Sequence, residues 1–153
     1  MARGTADMPI TFRPAAGTVP GSWGSISFTD TSIGSDLDTD GTYLGGSILQ
    51  HCHISLGGAG ANGQVNLSNM TLLVDQCQIT GSATSGIYSG SSSAKLVILQ
   101  GLFNQNGNLG LSGSIKDLTL SQTQVNNNQN GGVNFSMYGA FVATDNCQFN
   151  DNA

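Results

Sequence analysis

Charged residues are scarce in this chain, and glutamate is missing altogether. Of the 153 residues, 8% are charged, and all nine acidic residues are aspartate. An ordinary soluble domain carries about 25%. The lack of Glu argues against solvent-exposed helices, which usually carry Glu and Lys. Four basic residues and a net charge of −5 leave no face suited to phosphates, so nucleic acid is not expected as a partner.

Long apolar segments are missing as well. No stretch approaches the length that a membrane span requires. The first residues, MARGTADMP, lack the apolar segment of a signal peptide. From composition alone the chain is expected either in the cytoplasm or as a piece of a secreted protein without its leader.

Glycine and amide side chains are abundant instead, and they recur with a period of 22 to 25 residues. One phrase returns five times: LQHCHI at 49–54, VDQCQI at 74–79, ILQGLF at 98–103, LSQTQV at 120–125 and TDNCQF at 144–149. A second phrase follows in three repeats: GIYS at 86–89, GLSG at 110–113 and GVNF at 132–135. Such a period indicates a solenoid, in which each repeat buries its core only by stacking on its neighbours.

Each repeat is predicted to contain three short strands. Leu72 and Val74 alternate as one strand whose apolar side faces inward. Cys77 and Ile79 lie an odd step further along, so a bend must separate them from the first strand. Ile87 lies in a third strand. The sequence therefore predicts an all-β parallel β-helix (β-solenoid) of about five to six coils, with three short strands per coil.

The whole chain, residues 1–153, is predicted to be one domain. Residues 1–46 are predicted to be a degenerate N-terminal coil that contains an insertion at 29–46. Residues 47–153 are predicted to form regular coils, the last of them incomplete.

Two segments align the degenerate coil with the regular ones. Ile10 and Phe12 match the strand that follows the repeat centre, and Ile26 and Phe28 match the third strand. No capping segment is evident at either end, although β-solenoids need caps to avoid edge pairing. Either the chain belongs to a longer helix, or another copy of the chain covers the open ends.

Equivalent residues of successive coils are expected to lie above one another. Cys52 and Cys77 share the repeat centre and should be about 4.8 Å apart, with Cys147 too distant for a bond. All three are predicted to be small core residues; a Cys52–Cys77 disulfide, nucleophilic chemistry and metal binding are the alternatives. His51 and His53 lie in columns otherwise filled mostly by Gln, so we expect them to begin amide ladders.

A possible metal site lies in the insertion. DLDTDG at 36–41 has the D-x-D-x-D-G form of a calcium loop, although the bidentate Glu at its twelfth position is missing. The predicted ligands are Asp36, Asp38, Asp40 and the carbonyl of Thr42. A flexible solvated turn explains the same residues, because Asp, Thr and Gly dominate turns.

No pair of residues suggests a catalytic mechanism. Asp75 and Asp145 share a bend position but should be about 14 Å apart at strand spacing, further than the carboxylates of glycosidases. Lys95 and Lys116 are predicted to lie in turns between coils, and Asp117 is predicted to be isolated.

Trp23 is the candidate for binding a sugar. Its ring could stack on a pyranose face, or it could close the N-terminal end of the core.

Several phrases resemble a known family. VPGSWGSISF at 19–28, YLGGSILQHCHI at 43–54 and the Cys-x-Ile phrases followed by Gly-Ile resemble the right-handed parallel β-helix repeat proteins of the pectin-lyase-like superfamily. The resemblance covers about residues 9–153 and is closest to large bacterial surface and secreted proteins. It implies a right-handed winding and an extracellular or cell-surface location. It implies little about activity, because the superfamily contains lyases, hydrolases, epimerases, tailspikes and adhesin stalks.

Two functions are therefore predicted. The first is a non-catalytic structural or surface module, stalk-like or self-assembling, that binds a glycan, a protein partner or another copy through its coil ends or a lateral face. The alternative is a fragment of a carbohydrate-active enzyme, a polysaccharide lyase or epimerase whose catalytic coils are missing. Calcium is the only cofactor that the sequence suggests.

Overall fold

A computed structural model describes residues 1–153 and contains nineteen β-strands and no helix. The strands are β1 (Ala2–Arg3), β2 (Ile10–Phe12), β3 (Ile26–Phe28), β4 (Asp36–Leu37), β5 (Tyr43–Gly45), β6 (Ile48–Gln50), β7 (Cys52–Ser55), β8 (Gly63–Leu67), β9 (Thr71–Asp75), β10 (Gln78–Thr80), β11 (Ser85–Gly90), β12 (Lys95–Leu99), β13 (Leu102–Asn104), β14 (Leu111–Ile115), β15 (Asp117–Ser121), β16 (Gln124–Asn126), β17 (Val133–Met137), β18 (Phe141–Thr144) and β19 (Gln148–Asn150). None of its segments is a helix of the length and apolar character that crossing a membrane would need.

Three parallel sheets contain all but two of the strands. The first sheet has the order β1-β6-β9-β12-β15-β18, the second β2-β7-β10-β13-β16-β19 and the third β3-β8-β11-β14-β17. Four regular turns follow the degenerate coil of β1 to β3, and β18 and β19 begin a further, incomplete turn. The predicted parallel β-solenoid with three strands per coil is confirmed.

The ends of the solenoid are formed by the outermost strands. We call β1, β2 and β3 the N-terminal face, and β17, β18 and β19 the C-terminal face.

The degenerate first coil has the predicted register. Ile10 pairs with Cys52 and Phe12 with Ile54, while Ile26 pairs with Val65. The alignment works because inward-facing apolar residues alternate in this coil as they do in the regular ones.

The core runs along the axis as columns of stacked side chains. Ile54, Ile79, Phe103 and Val125 form one such column, and each is fully buried. Burying a side chain of this size contributes roughly 1.5–3 kcal/mol. Because each residue is covered by the coils above and below it, this stabilisation belongs to the stack rather than to one repeat.

Each coil turns at two residues with left-handed backbone, most of which are not glycine. Their φ angles lie between 47° and 63°. The first column of such residues is His51, Gln76, Gln100, Gln122 and Asn146, and the second is Leu56, Gly81, Gln105, Asn127 and Asp151. Left-handed backbone is costly for residues other than Gly, so stacking must hold these bends in place. The residues of the first column lie at the bend that was predicted between the first and second strands of each repeat.

The last strand of the first sheet differs from the prediction by one residue. The repeat alignment puts Val142 in the column of Leu118, but the structure pairs Phe141 with Leu118. The reason is that both Asp145 and Asn146 are left-handed, so this bend contains one more residue than the others. A shift of one residue reverses which side chains face inward.

The main polar ladder also differs from the prediction. In the His and Gln columns only one rung forms, from Gln100 Nε2 to Gln122 Oε1 at 2.9 Å. The continuous ladder consists instead of Asn106, Asn128 and Asn152, one residue beyond the second bend. The oxygens of Asn128 and Asn152 each accept from the side-chain amide and the backbone N–H of the Asn before them, at 2.8 to 3.1 Å, and the Asn106 oxygen accepts from the Ser82 N–H at 3.1 Å.

The insertion is attached to the first sheet through one buried serine. The Ser35 N–H donates to the Thr71 carbonyl at 2.8 Å, and its hydroxyl accepts from the Leu73 N–H at 2.7 Å and donates to the Ser47 carbonyl. Beyond Ser35, β4 and β5 form an antiparallel hairpin.

Candidate functional site

Two surface features stand out: the C-terminal face and a groove beside the hairpin. The C-terminal face contains an open apolar depression of about 590 Å³. Its lining includes Val133, Phe135, Met137, Phe141 and Phe149. Phe141 is 53% exposed and Phe149 is 45% exposed, although both belong to columns that are buried in the regular coils. The shifted register of β18 turns Phe141 toward this depression.

The groove lies between the hairpin and the outer side of the first sheet. It encloses about 500 Å³ and has a polar lining that includes Asp36, Thr71, Lys95, Asp117 and Thr119. The Lys95 ammonium lies 2.9 Å from the Asp117 carboxylate. The prediction that Asp117 is isolated is therefore wrong, as is the placing of Lys95 in a turn, because Lys95 begins β12. The sequence could have revealed this ion pair, because Lys95 and Asp117 occupy equivalent positions in neighbouring repeats and are paired in register.

Asp117 is held as a carboxylate. The Ala140 N–H donates to its Oδ1 at 3.0 Å, and this bond, together with the Lys95 partner, lowers the pKa of Asp117 below its usual value. A carboxylate with a lowered pKa accepts hydrogen bonds at neutral pH but is a poor general acid. The groove therefore offers a fixed pair of opposite charges to which polar hydroxyl groups can bind.

The predicted calcium ligands take part in the hairpin turn. Asp38 Oδ1 accepts from the N–H groups of Asp40 and Thr42 at 3.0 and 2.8 Å, and the Thr42 carbonyl accepts from the Asp38 N–H at 3.0 Å. Nowhere does the structure bring three His, Cys, Asp or Glu side chains together as a group that could hold a metal. In this arrangement the residues do not form a calcium cage.

Calcium binding by Asp36, Asp38, Asp40 and Thr42 stays a prediction, and in this arrangement Asp38 Oδ1 already accepts two backbone hydrogen bonds. Calorimetric titration with Ca²⁺ tests it, and a titration without heat or thermal shift would dismiss it.

Trp23 belongs to the degenerate first coil and packs against the buried core cluster. Its indole N–H donates to the Ser55 carbonyl at 2.7 Å. Its ring covers Gly57, where an added Cβ would lie 2.9 Å from the indole carbons, so only glycine fits there. The ring packs against the buried cluster as a half-buried residue. Stacking of its remaining surface on a sugar stays a prediction.

The cysteines lie as the column alignment predicted. Cys52 and Cys77 are buried free thiols, and the Cys52 N–H donates to Cys77 Sγ at 3.3 Å. The neighbouring Cys52 thiol, and then burial, raise the pKa of Cys77, so this thiol is protonated and unreactive at neutral pH. Cys147, which lies on the C-terminal face, is half-buried.

Comparison of the chain with protein-family models, with curated proteins and with solved structures found no match. The fold is shown by the three parallel sheets. The likeness to the pectin-lyase-like superfamily, with its right-handed winding, stays a hypothesis that depends on the phrases at 19–28 and 43–54.

Proposed function

We propose that this chain is a non-catalytic structural module, a stiff β-solenoid rod that presents its lateral surface and its two end faces at a fixed separation. The observation that carries the proposal is the continuity of its axial columns. The first and second sheets each run through six strands, and the inward-facing apolar residues from β6 to β16 are buried.

Side chains reinforce the rod along the same axis. The Nδ2 groups of Asn106, Asn128 and Asn152 also donate to the backbone carbonyls of the preceding coils, at 2.7 to 3.3 Å. Asn106 and Asn128 thus each join three consecutive coils, because each donates to a carbonyl of the coil before it and to the Asn of the coil after it, whereas Asn152 bonds only to the coil before it. Hydrogen bonds in a dry interior strongly oppose separation of the groups they join.

The rod is short. Six strands of the first sheet span five spacings of about 4.8 Å, which corresponds to roughly 24 Å along the axis. A segment of this length suits a spacer or part of a stalk.

A surface or extracellular location and binding of a glycan or protein partner belong to the same proposal. The lateral surface is rich in hydroxyl and amide groups, and the groove at Lys95 and Asp117 offers charges that sugar hydroxyls can bind. The phrases that resemble bacterial surface proteins support this location.

The polar groove also favours a second candidate, the fragment of a carbohydrate-active enzyme. A lyase needs a base to remove a proton, and a glycosidase needs a carboxylic acid to give one. Lys95 is paired with Asp117, and Asp117 has a lowered pKa, so neither group is suited to proton transfer as it stands. The structural role therefore explains more of the molecule.

Hydrogen exchange and a turnover assay together test the proposal. We expect the backbone amides of β9, β12 and β15 to exchange only through global unfolding, as a stiff rod requires. We expect no unsaturated product when the chain is incubated with uronic-acid polymers. Cleavage that disappears in Lys95→Met would transfer the function to the groove, and fast exchange in these strands would show that the rod is not stiff.

A further inference from the structure

The groove beside the hairpin is a preformed cleft. Its wall is the insertion, and its floor is the outer side of β9, β12 and β15. Ser35 fixes the base of the wall, because its backbone N–H donates to the Thr71 carbonyl and its hydroxyl accepts from the Leu73 N–H. At about 500 Å³ the cleft has the size of a ligand site. A site that is already ordered loses little conformational entropy when a ligand binds.

The turn before β18 fixes the charged groups of the cleft. Ala140 in this turn donates its N–H to Asp117 Oδ1 at 3.0 Å, and the Lys95 ammonium lies 2.9 Å from Asp117 Oδ2. Gly139 permits this approach, since a Cβ at that position would collide with Asp117 Oδ1 and lie 2.8 Å from the Lys116 carbonyl oxygen. The carboxylate and the ammonium are therefore held side by side before any ligand arrives.

The polar side chains of the cleft can form further hydrogen bonds. An ammonium has three N–H donors, and the Asp117 carboxylate is the one partner that Lys95 has. The hydroxyls of Thr71 and Thr119 and the Asp36 carboxylate line the cleft and have no hydrogen-bond partner within the chain. The cleft thus presents donors and acceptors together, as a ligand hydroxyl requires, because a hydroxyl both donates and accepts.

Apolar surface lies between these polar groups. Val97 faces outward from the middle of β12, and Leu37 lies on the hairpin wall; both are half-buried and line the cleft. A pyranose ring has the matching character, with hydroxyl groups at its edge and C–H groups on its faces. Sites for small ligands combine apolar surface with a few placed polar groups in this way.

Charge decides which kind of sugar fits. The charged residues of the lining are Asp36, Asp117 and Lys95, which gives −2 + 1 = −1. The one cation is already paired with Asp117. An acidic sugar would bring its carboxylate toward two others, and such like-charge contacts exclude a ligand. Neutral hydroxyl groups can accept from the ammonium and donate to the carboxylates without adding charge.

The cleft is elongated along the rod. It crosses β9, β12 and β15 and reaches the turn before β18. Three spacings of about 4.8 Å correspond to roughly 14 Å. This length suits a short run of linked sugar rings rather than a single ring.

We infer that the cleft between the hairpin and the first sheet binds a neutral oligosaccharide, whose hydroxyls bind Lys95 and Asp117 and whose C–H faces pack on Val97 and Leu37. The inference rests on the proposed structural function, because it names the ligand class that the lateral surface of the rod binds. It concerns binding alone and requires no reaction of the sugar.

Nuclear magnetic resonance titration of the full chain tests the inference. The probes are the neutral trimers cellotriose, maltotriose and mannotriose and the acidic trimer of galacturonic acid, with a chelator present to exclude bridging by calcium. We expect at least one neutral trimer at millimolar concentration to shift the backbone amide signals of Lys95, Thr119 and Ala140. We expect the acidic trimer to leave these signals unchanged.

Two substitutions in the cleft should weaken binding of the neutral trimer. Thr119→Val, which removes one hydroxyl, should raise the Kd about fivefold. Lys95→Met, which keeps the length of the side chain but removes its charged donors, should raise the Kd about tenfold or more. Thr80→Val is the matched control, because Thr80 is a half-buried threonine at the end of β10 in the second sheet, outside the cleft. It should leave the Kd unchanged, and the dispersed spectra confirm that each variant folds.

A third substitution tests the role of charge. Asp36→Lys changes the charge of the lining from −1 to +1 without removing any hydrogen bond of the structure. We expect this variant to bind the galacturonic acid trimer at least about tenfold more tightly than the wild-type chain does, because a free cation then faces the carboxylates of the sugar.

Three results would overturn the inference: no shift in the cleft with any of the neutral trimers, tighter binding of the acidic trimer by the wild-type chain, or an equal loss of affinity in Thr80→Val and Thr119→Val. Each would leave the stiff rod intact if hydrogen exchange in β9, β12 and β15 stays slow. Cleavage of a bound neutral trimer would instead overturn the non-catalytic function and leave the binding site in place, so the two proposals fail separately.

Discussion

The regular turns and the C-terminal face are built from the same columns, yet their side chains have opposite environments. Phe103 is fully buried, whereas Phe149, in the same column of the second sheet, is 45% exposed. Both lie at the middle of a three-residue strand. The difference is that Phe103 has a coil on each side and Phe149 on one side. Burial in this fold is therefore set by stacking and not by the repeat itself.

The asparagine ladder shows the same contrast in polar form. The side chains of Asn106 and Asn128 are fully or almost fully buried and bond to coils on both sides, whereas Asn152 bonds only downward. The ladder thus ends in an amide without an upper partner, beside the exposed phenylalanines of the C-terminal face.

Thiol modification should reveal the largest difference between the two regions. Cys52, Cys77 and Cys147 share one column, but only Cys147 lies on the C-terminal face. With iodoacetamide we expect Cys147 to react at least about a thousandfold faster than Cys52 and Cys77, because the two buried thiols must wait for the core to open. Mass spectrometry of peptides from timed samples measures the rates.

Cys147→Ser is the control for this experiment and should show only the slow reaction. Equal rates at all three thiols would mean that the regular turns are as open as the C-terminal face.

Truncating matched phenylalanines should give the next largest difference. We expect Phe103→Ala to lower the free energy of unfolding by about 3–5 kcal/mol, because it leaves a cavity between two coils. Phe149→Ala should cost less than about 1 kcal/mol, since nearly half of that ring already meets solvent. Urea unfolding measures both. Similar losses would contradict the role of stacking.

The asparagine ladder allows the same comparison between the regular turns and the C-terminal face with polar side chains. Asn128→Ala should cost about 2–3 kcal/mol, because the buried backbone N–H and side-chain amide of Asn106 lose their bonds to Asn128 Oδ1, and the Phe103 carbonyl loses its bond from Asn128 Nδ2. Asn152→Ala should cost less than about 1 kcal/mol, because Asn152 has hydrogen-bond partners on one side only. The same urea experiment compares them, and a larger loss for Asn152 would show that the ladder is not anchored in the regular turns.

Acid should have the smallest effect, through Asp117, which connects the regular turns to the turn before β18. Its lowered pKa means that it stabilises the fold above the unfolded value of about 3.9 and that this contribution is lost as pH falls through the lower folded value. Because the Asp117 side chain is partly exposed and solvent screens its charge, we expect less than about 1 kcal/mol.

Thermal unfolding of the wild-type chain and of Asp117→Asn measures this contribution. The stability difference between them should shrink as pH falls below about 4. A difference independent of pH would show that the charge of Asp117 does not stabilise the fold.

Most of the fold could be predicted from the sequence repeat, because equivalent apolar residues of successive coils must all face the core. The register of the first coil at Ile10 and Ile26 followed from this alternation alone. The register of β18 did not, because it depends on whether Asp145 adopts a left-handed backbone, and the apolar pattern does not contain that information.

Features without a repeat were the least predictable. The attachment of Ser35 and the groove above the first sheet depend on how an insertion folds back, and no equivalent residue in another coil reveals it. The asparagine ladder was misassigned because column position alone does not tell which side chains beyond a bend point inward. The pair of Lys95 and Asp117 was predictable from register and was missed.

The hairpin of β4 and β5 suggests a use in protein engineering. Its base is fastened by the backbone and hydroxyl of Ser35, while its tip at 38–42 closes on itself through Asp38. Foreign peptides grafted at that tip should therefore be displayed on the flank of the solenoid without altering how it winds. A melting temperature that stays the same after grafting would demonstrate this tolerance.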